Sequence, residues 1–129
     1  MTEELKSANG ETILLIEDNQ TVRRAISTML DMLGYKVLTA GNGPEAMELA
    51  HDSHVIDLLL SDIVMPGGMN GFEISEKIRE HRPTLKCLFM SGYASLPDNQ
   101  IPQNADFLGK PFELKVIADK LQEILSGNH

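Results

Sequence analysis

Short, almost uninterrupted apolar runs alternate along this chain with longer amphipathic stretches, and this alternation restricts the possible folds more than any other feature. Three of the runs read ILLI, DLLL and CLFM, and apolar and polar residues do not alternate within them. Such runs are typical of parallel strands that helices cover on both faces. The sequence predicts five strands, over residues 12–17, 36–40, 57–62, 86–90 and 105–109.

Between the predicted strands lie stretches with apolar residues at helical spacing. The first stripe ends just before Gly34, which stands where a C-terminal cap belongs. The second helix is predicted to open at Gly43, because the proline that follows is tolerated in a first turn. The third has Asn70 as a candidate N-cap, and the last follows Pro111.

The order of these elements predicts an α/β protein with a doubly wound, five-stranded parallel sheet. The connections fit the flavodoxin-like strand order 2-1-3-4-5. Between the fourth and fifth strands lie Pro97 and Pro102, and proline costs about 3 kcal/mol in a helix interior. We therefore expect the helix at this place to be shortened or irregular, with at most a short turn over residues 95–104. Dimerisation through the face that it would form is not expected.

A length of 129 residues suits one domain of ordinary size. We expect a disordered segment over residues 1–10, a folded domain over 11–126 and a short tail over 127–129. The formal net charge of -8 argues against partners such as nucleic acid and anionic membranes. The sequence has no secretory signal and no apolar run near the ~20 residues of a membrane-spanning helix, so we expect a cytoplasmic protein. Cys87 is the only cysteine, which excludes an internal disulfide.

The predicted strands deliver several polar residues to one edge of the sheet. In folds of this kind the ligand site lies beyond the carboxyl ends of the strands, between the first and third strands. The first strand ends in Glu17 and Asp18, and the third ends in Asp62. The fourth ends next to Ser91 and the fifth next to Lys110. Each residue alone could be an ordinary turn or surface residue, but together they make a candidate site.

This set of side chains predicts phosphoryl chemistry. Clustered carboxylates repel one another, so their site needs protons or a cation. A few oxygen ligands with room for water suit Mg²⁺. Lys110 would supply a positive charge for a phosphoryl oxygen, and Ser91 a hydrogen-bond donor. Because aspartate can act as a nucleophile towards phosphorus, we expect Asp62 to become an aspartyl phosphate.

The stretches LLIEDN, LLLSDIVMP, MSGYA and FLGKPF resemble the signature segments of bacterial response-regulator receiver domains, in matching order and spacing. The resemblance covers about residues 11–126 and implies that Asp62 is the phosphoacceptor. It implies further that Glu17 and Asp18 are an acidic metal pair. The metal would then be held by Glu17, Asp18, Asp62 and the backbone carbonyl of Val64.

The same resemblance assigns roles to residues around the last two strands. Ser91 would be the switch hydroxyl, Phe107 the switch aromatic residue and Lys110 the lysine of the site. A cis peptide between Lys110 and Pro111 is also implied, which the tertiary amide of an X-Pro bond makes tolerable.

The loop after Asp62 reads IVMPGGMNG and turns sharply over the candidate site. Gly67, Gly68 and Gly71 would permit a backbone path that side chains would obstruct. The stretch MPGGMNG is one residue longer than the commonest form in receiver domains. It resembles the same loop in receivers attached to hybrid sensor histidine kinases.

The function implied by the resemblance is that of a phosphoacceptor in a two-component phosphorelay. The domain would take a phosphoryl group from a phosphohistidine onto Asp62 with Mg²⁺, and so switch its protein–protein contacts. The expected partners are a histidine kinase or a histidine phosphotransfer protein. We expect a signalling protein rather than an enzyme, and a monomer or weak dimer.

The sequence features of four other classes of protein differ from those of this chain to different degrees. A flavodoxin-type FMN protein would need a first loop rich in serine, threonine and glycine, where this chain has EDNQT. A haloacid-dehalogenase-type phosphatase would need an acid two residues after Asp62, where Val64 stands. A P-loop nucleotidase would need the motif GxxxxGK[ST], which the sequence does not contain. A degenerate receiver that acts as a phosphorylation-independent binding module stays as the main alternative, although the acidic pair, the acceptor and the lysine are all present.

Overall fold

The computed structural model describes residues 8–52, 55–65, 69–91 and 106–127. The strands are β1 (Thr12–Ile16), β2 (Lys36–Ala40), β3 (Leu58–Asp62), β4 (Lys86–Ser91) and β5 (Asp106–Gly109). The helices of the described ranges are α1 (Gln20–Met32), α2 (Gly43–Asp52), α3 (Gly71–Arg79) and α4 (Leu114–Leu125). None of these four helices has the length and apolar character needed to cross a membrane.

The five strands form one parallel sheet in the order β2-β1-β3-β4-β5. The predicted α/β class and the flavodoxin-like strand order are therefore confirmed. The connection between β4 and β5, where we expect a shortened or irregular helix, lies outside the described residues.

The predicted strand ends differ from the observed ones by one residue at several places. β1 ends just before Glu17, β3 begins just after Asp57, and β4 continues to Ser91. Asp57 stands directly before β3, and both its backbone and its side chain bond the start of β1. Its N–H donates to the carbonyl of Thr12, and its carboxylate accepts the N–H of Thr12, both at 2.8 Å.

Two apolar clusters cover the two faces of the sheet. On one face, α1 and α4 pack on the strands through residues such as Leu30 and Leu121, which lie with Leu60 in one cluster. On the other face, α2 and α3 contribute Ala46 and Ile74 to the second cluster. Burial on both faces explains why the strands contain continuous apolar runs.

Polar caps define where the helices next to the candidate site begin and end. The side chain of Asn70 accepts the N–H of Glu73, and the carboxylate of Glu73 accepts the N–H of Asn70, each at 2.9 Å. This capping box starts α3 where the sequence predicts it. Asn19 caps α1 by accepting the N–H of Val22 at 3.0 Å. After α1, Gly34 has a φ of 93°, which favours glycine.

The described chain is attached to the domain before β1 begins. The N–H of Ala8 donates to the carbonyl of Leu33 at 2.8 Å, and Ala8 packs against the cluster that contains α1 and α4. The end of α1 therefore holds the chain from residue 8 onward.

Candidate functional site

Three carboxylates meet at the carboxyl edge of the sheet. One carboxylate oxygen from each of Glu17, Asp18 and Asp62 lies within 4.8 Å of the others. Glu17 is 1% exposed and Asp62 is 8% exposed, whereas Asp18 is open to solvent. The structure therefore brings together the three acids that the sequence predicts, two of them in the floor of the site and one at its surface.

Asp62 is held at the end of the most deeply buried strand. All five residues of β3 are buried. The hydroxyl of Ser61 donates to the carbonyl of Asp62 at 2.8 Å, and the N–H of Ile63 donates to the carbonyl of Met90 at 3.1 Å. The backbone on both sides of Asp62 is thus fixed by hydrogen bonds to its neighbours.

The start of α3 presses directly on the end of β3. The N–H of Gly71 donates to the carbonyl of Ile63 at 2.7 Å. A Cβ atom at Gly71 would collide with the backbone carbonyl of Asp62. The expectation that a side chain would obstruct the loop is therefore correct for Gly71, while Gly67 and Gly68 lie outside the described residues.

Each backbone and side-chain polar atom of Glu17 has a hydrogen-bond partner. Its N–H donates to Ala40 at 3.1 Å, and its carbonyl accepts from Nη1 of Arg23 at 2.8 Å. Its Oε1 accepts from Nζ of Lys110 at 2.8 Å, and its Oε2 accepts from the N–H of Asn19 at 3.1 Å. These partners offset the cost of burying an ionised carboxylate and fix its position.

Lys110 forms ion pairs with two of the three acids. Its Nζ lies 2.8 Å from Oε1 of Glu17 and 3.0 Å from Oδ1 of Asp62. Burial lowers the pKa of Lys110, but the hydrogen bonds and charges of these two acids outweigh it, so the pKa is raised above its ordinary value. The backbone N–H of Lys110 donates to the carbonyl of Ser91 at 2.7 Å, and the bond to Pro111 is cis, as the resemblance implied.

The acidic cluster and the ammonium group together suit a small divalent cation. Three carboxylates and one ammonium leave a formal charge of about -2 at the site. All the candidate ligands are oxygens, and Asp18 is open to water. Mg²⁺ prefers this combination, because it takes one or two carboxylates and keeps several waters. The residues present therefore fit the Mg²⁺ that the sequence predicts.

Three phenylalanine rings connect β5 to the first turn of α3. The rings of Phe72 and Phe89 lie 4.7 Å apart, edge to face, and both are buried. The ring of Phe107 lies 6.2 Å from Phe72 and 6.1 Å from Phe89, and this residue is 37% exposed. The candidate switch aromatic residue thus lies at the solvent side of the cluster.

Ser91 and Val64 lie at the same edge of the sheet. Ser91 is the last residue of β4, is half-buried and is aligned with Gly109 of β5. Val64 lies two residues beyond Asp62 and is exposed. Their roles as switch hydroxyl and backbone metal ligand stay predictions.

Two residues that contact Glu17 were missing from the predicted site. Asn19 had a local signal, because asparagine between a strand and a helix is a frequent N-cap. Arg23 had none, since its partner is a backbone carbonyl and any residue type could provide one.

The fold and the site together define a class of protein. A flavodoxin-like sheet that gathers three acids and one lysine at the carboxyl ends of its strands has the architecture of a receiver domain. The family model for the response regulator receiver domain matches residues 13–122, so the chain belongs to this family of two-component signalling proteins. The resemblance of the signature stretches to receiver domains is therefore confirmed.

Two relatives from Brucella abortus match the chain over very different shares of their own length. The response regulator receiver protein CpdR is 37% identical over 116 residues, which cover 88% of this chain and 95% of CpdR. The sensor kinase CckA is 37% identical over 122 residues, which cover 92% of this chain but 13% of the kinase. The chain is therefore similar to a whole single-domain regulator and to one part of a large kinase.

Solved structures agree with this result. The receiver domain from the hybrid histidine kinase CckA has a TM-score of 0.75 at 35% identity, covering 88% of this chain and 98% of that chain. A CheY-like receiver domain protein from Methanospirillum hungatei has a TM-score of 0.81 at 29% identity, covering 92% and 96%.

Proposed function

We propose that this receiver domain accepts a phosphoryl group on Asp62, with Mg²⁺, from the phosphohistidine of a histidine kinase or a histidine phosphotransfer protein. One observation carries the proposal. The carboxylate of Asp62 lies 3.0 Å from the ammonium of Lys110 and within 4.8 Å of the other two acids. The likeness to receivers of sensor kinases supports the choice of donor and a cytoplasmic location.

The transfer exchanges one bond to phosphorus for another. An oxygen of Asp62 forms a bond to phosphorus while the bond between phosphorus and the imidazole nitrogen of the donor breaks. The imidazole leaves with the bonding electrons and takes a proton from solvent. Lys110 is close enough to Asp62 to neutralise charge on a phosphoryl oxygen, and the hydroxyl of Ser91 would donate a hydrogen bond to another.

Glu17, Asp18 and Asp62 would hold the metal ion. When bound, Mg²⁺ supplies positive charge that offsets the charge of the phosphoryl oxygens. Glu17 contributes a fixed and buried carboxylate, whereas Asp18 contributes one that faces water. The backbone carbonyl of Val64 is the fourth ligand that we propose.

The phosphoryl group would be lost later by hydrolysis in the same site. The chain therefore catalyses its own phosphorylation and dephosphorylation, and we do not propose an enzyme with a separate substrate. A phosphoryl group on Asp62 would compete with Glu17 for Lys110. Movement of Lys110, Ser91 and the half-exposed Phe107 would then shift an equilibrium between two conformations of the face near β4 and β5. Partners would bind the two conformations with different affinity.

A small acyl phosphate with Mg²⁺ tests the proposal without a kinase. Intact-mass spectrometry should show one phosphoryl adduct that is labile in base, because an acyl phosphate hydrolyses readily. Asp62→Asn should form no adduct. Asp18→Ala should bind Mg²⁺ more weakly and form the adduct more slowly while keeping the fold.

Two results would contradict the proposal. An equal adduct on Asp62→Asn would place the acceptor elsewhere. No adduct on the parent protein at saturating Mg²⁺ would favour the alternative, a degenerate receiver that binds partners without phosphorylation.

A further inference from the structure

Arg23 connects the first turn of α1 to the end of β1. Its own N–H donates to the carbonyl of Asn19 at 2.8 Å, which anchors the residue in the helix. Its side chain turns back, and Nη1 donates to the carbonyl of Glu17 at 2.8 Å. A Cβ atom at Gly41 would lie 3.0 Å from this nitrogen, so the guanidinium also lies close against the loop between β2 and α2. Arg23 therefore joins three elements at the acidic edge of the sheet.

The carbonyl of Glu17 belongs to the peptide that leads to Asp18. Because a peptide unit is planar, a hydrogen bond to this carbonyl fixes the orientation of the whole unit. The direction in which the side chain of Asp18 leaves the backbone is thereby restricted. The side chain of Glu17 is buried, and its neighbours hold it in place. The side chain of Asp18 is exposed, so its position depends more on the orientation of its backbone.

We propose that Arg23 is a positioning residue of the metal site. By holding the peptide between Glu17 and Asp18, it keeps the carboxylate of Asp18 within 4.8 Å of those of Glu17 and Asp62. The inference depends on the proposed function in one respect, namely that these three acids bind Mg²⁺. Arg23 touches neither the metal nor the phosphoryl group.

The positive charge of Arg23 and its hydrogen bond to Glu17 should have opposite effects on Mg²⁺ affinity. A cation near the site repels Mg²⁺, so removal of the charge alone would tighten metal binding. Loss of the hydrogen bond would weaken metal binding, because residues that orient metal ligands typically change affinity by about 10–100-fold. The sign of the change in Mg²⁺ affinity therefore separates the two effects.

Titration of the 129-residue chain with MgCl₂ measures this sign without any phosphoryl donor. Backbone amide chemical shifts around Asp18 report the dissociation constant. Arg23→Ala removes both the charge and the donor, and Arg23→Gln removes the charge but keeps an N–H donor. Arg24→Ala is the matched control, because it removes the same charge from the next residue, whose side chain is exposed.

We expect Arg23→Ala to bind Mg²⁺ about tenfold more weakly than the parent. We expect Arg24→Ala to bind at least as tightly as the parent, and Arg23→Gln to lie closer to the parent than Arg23→Ala. Thermal unfolding of each variant shows whether it is folded during the titration.

Three results overturn the inference. In the first, Arg23→Ala binds Mg²⁺ as tightly as Arg24→Ala. In the second, both Arg23 variants lose thermal stability while the dissociation constant for Mg²⁺ stays unchanged, which would show a purely structural role. Arg23→Gln could also bind as weakly as Arg23→Ala. The absence of a saturable shift in the parent protein is a different failure, because it contradicts the proposed Mg²⁺ site itself.

Discussion

Lys110 stabilises a pair of carboxylates that would otherwise be costly to bury together. Glu17 is almost inaccessible to water, and Asp62 is nearly so. An ionised carboxylate in such a place needs a charged or hydrogen-bonding partner. The side chain of Lys110 is 23% exposed, so solvent weakens the attraction without removing it. The residue proposed to contact the phosphoryl group is thus also part of what holds the unphosphorylated site together.

Replacement of Lys110 by methionine keeps a long apolar stem and removes the charge. We expect the free energy of unfolding at pH 7 to fall by about 1–3 kcal/mol, less than for a fully buried ion pair, because water reaches the lysine. Mg²⁺ should restore more stability to this variant than to the parent, since it replaces the missing cation and binds only the folded state. Urea unfolding with and without MgCl₂ measures both effects.

Lys115→Met is the control for Lys110→Met. Lys115 lies 2.9 Å from Asp119, four residues further along α4, and the two side chains are 42% and 41% exposed. Exposed pairs contribute about 0–1 kcal/mol, and Asp119 is not one of the three acids of the site. Equal losses of stability in the two variants, or an equal response to Mg²⁺, would show that Lys110 has no special role in the site.

Among the elements, β3 and α3 are joined by a direct backbone contact. The helix starts so close to the strand that the carbonyl of Asp62 occupies the place of a side chain at Gly71. The capping box of Asn70 and Glu73 fixes the start of the helix independently. A shift of α3 would therefore change the position of the backbone of Asp62.

Gly71→Ala should displace α3 and destabilise the domain. The atom that the new methyl group meets is a backbone carbonyl, which cannot move aside like a flexible side chain. We expect a loss of about 2–3 kcal/mol in the free energy of unfolding, in the range for overpacked sites, and slower phosphorylation of Asp62. Gly109→Ala is the control, because nothing lies within 4 Å of a Cβ atom there. Similar losses in both variants would mean that glycine is needed for another reason.

The elements were more predictable from the sequence than the contacts between them. The strands and caps have local signals: LLLSD is a continuous apolar run, and Asn70 precedes Glu73 at capping-box spacing. The acids of the site followed from the strand ends. The partner of Arg23, which is the carbonyl of Glu17, and the atom that Gly71 faces, which is the carbonyl of Asp62, could not be predicted in this way, although a side chain at Gly71 was expected to obstruct the loop. A carbonyl group is common to all residues and leaves no mark in the sequence.

For the molecule as a whole, two groups outside the site, among the residues that the structure describes, contribute to the pH dependence of stability in alkaline solution. Burial, with a smaller contribution from Glu11, raises the pKa of Tyr35 from 10.0 to about 12. Burial raises the pKa of the Cys87 thiol from 9.0 to about 11, against an opposing effect of Arg79. In both cases the folded state favours the neutral, protonated form.

The free energy of unfolding should therefore fall as the pH rises above about 9. Between the unfolded and folded pKa values, the unfolded chain binds fewer protons than the folded one, so stability decreases with pH. The contribution of Cys87 is fully present below pH 9.0 and is lost as the pH rises through about 11. That of Tyr35 is lost from 10.0 to about 12. Urea unfolding at pH 8 and at pH 10.5 measures the change.

Cys87→Ala separates the thiol from the other alkaline effects. The variant should lose less stability than the parent between the two pH values, because it has no thiol to ionise. The raised pKa of Lys110 acts in the same direction in both proteins, since its contribution is lost as the pH rises from 10.5 through its raised value. Identical pH dependence in variant and parent would show that the thiol makes no contribution.

The half-exposed position of Phe107 at the edge of the ring cluster also makes the domain suitable for optical study. The chain contains no tryptophan, so Phe107→Trp would introduce a single tryptophan beside two buried rings, and its emission can be excited apart from that of the two tyrosines. Its emission wavelength and its quenching by acrylamide would report whether that ring lies in water or against Phe72 and Phe89. The state of one side chain on β5 could then be followed in real time during phosphorylation, in dilute solution and without isotopic labels.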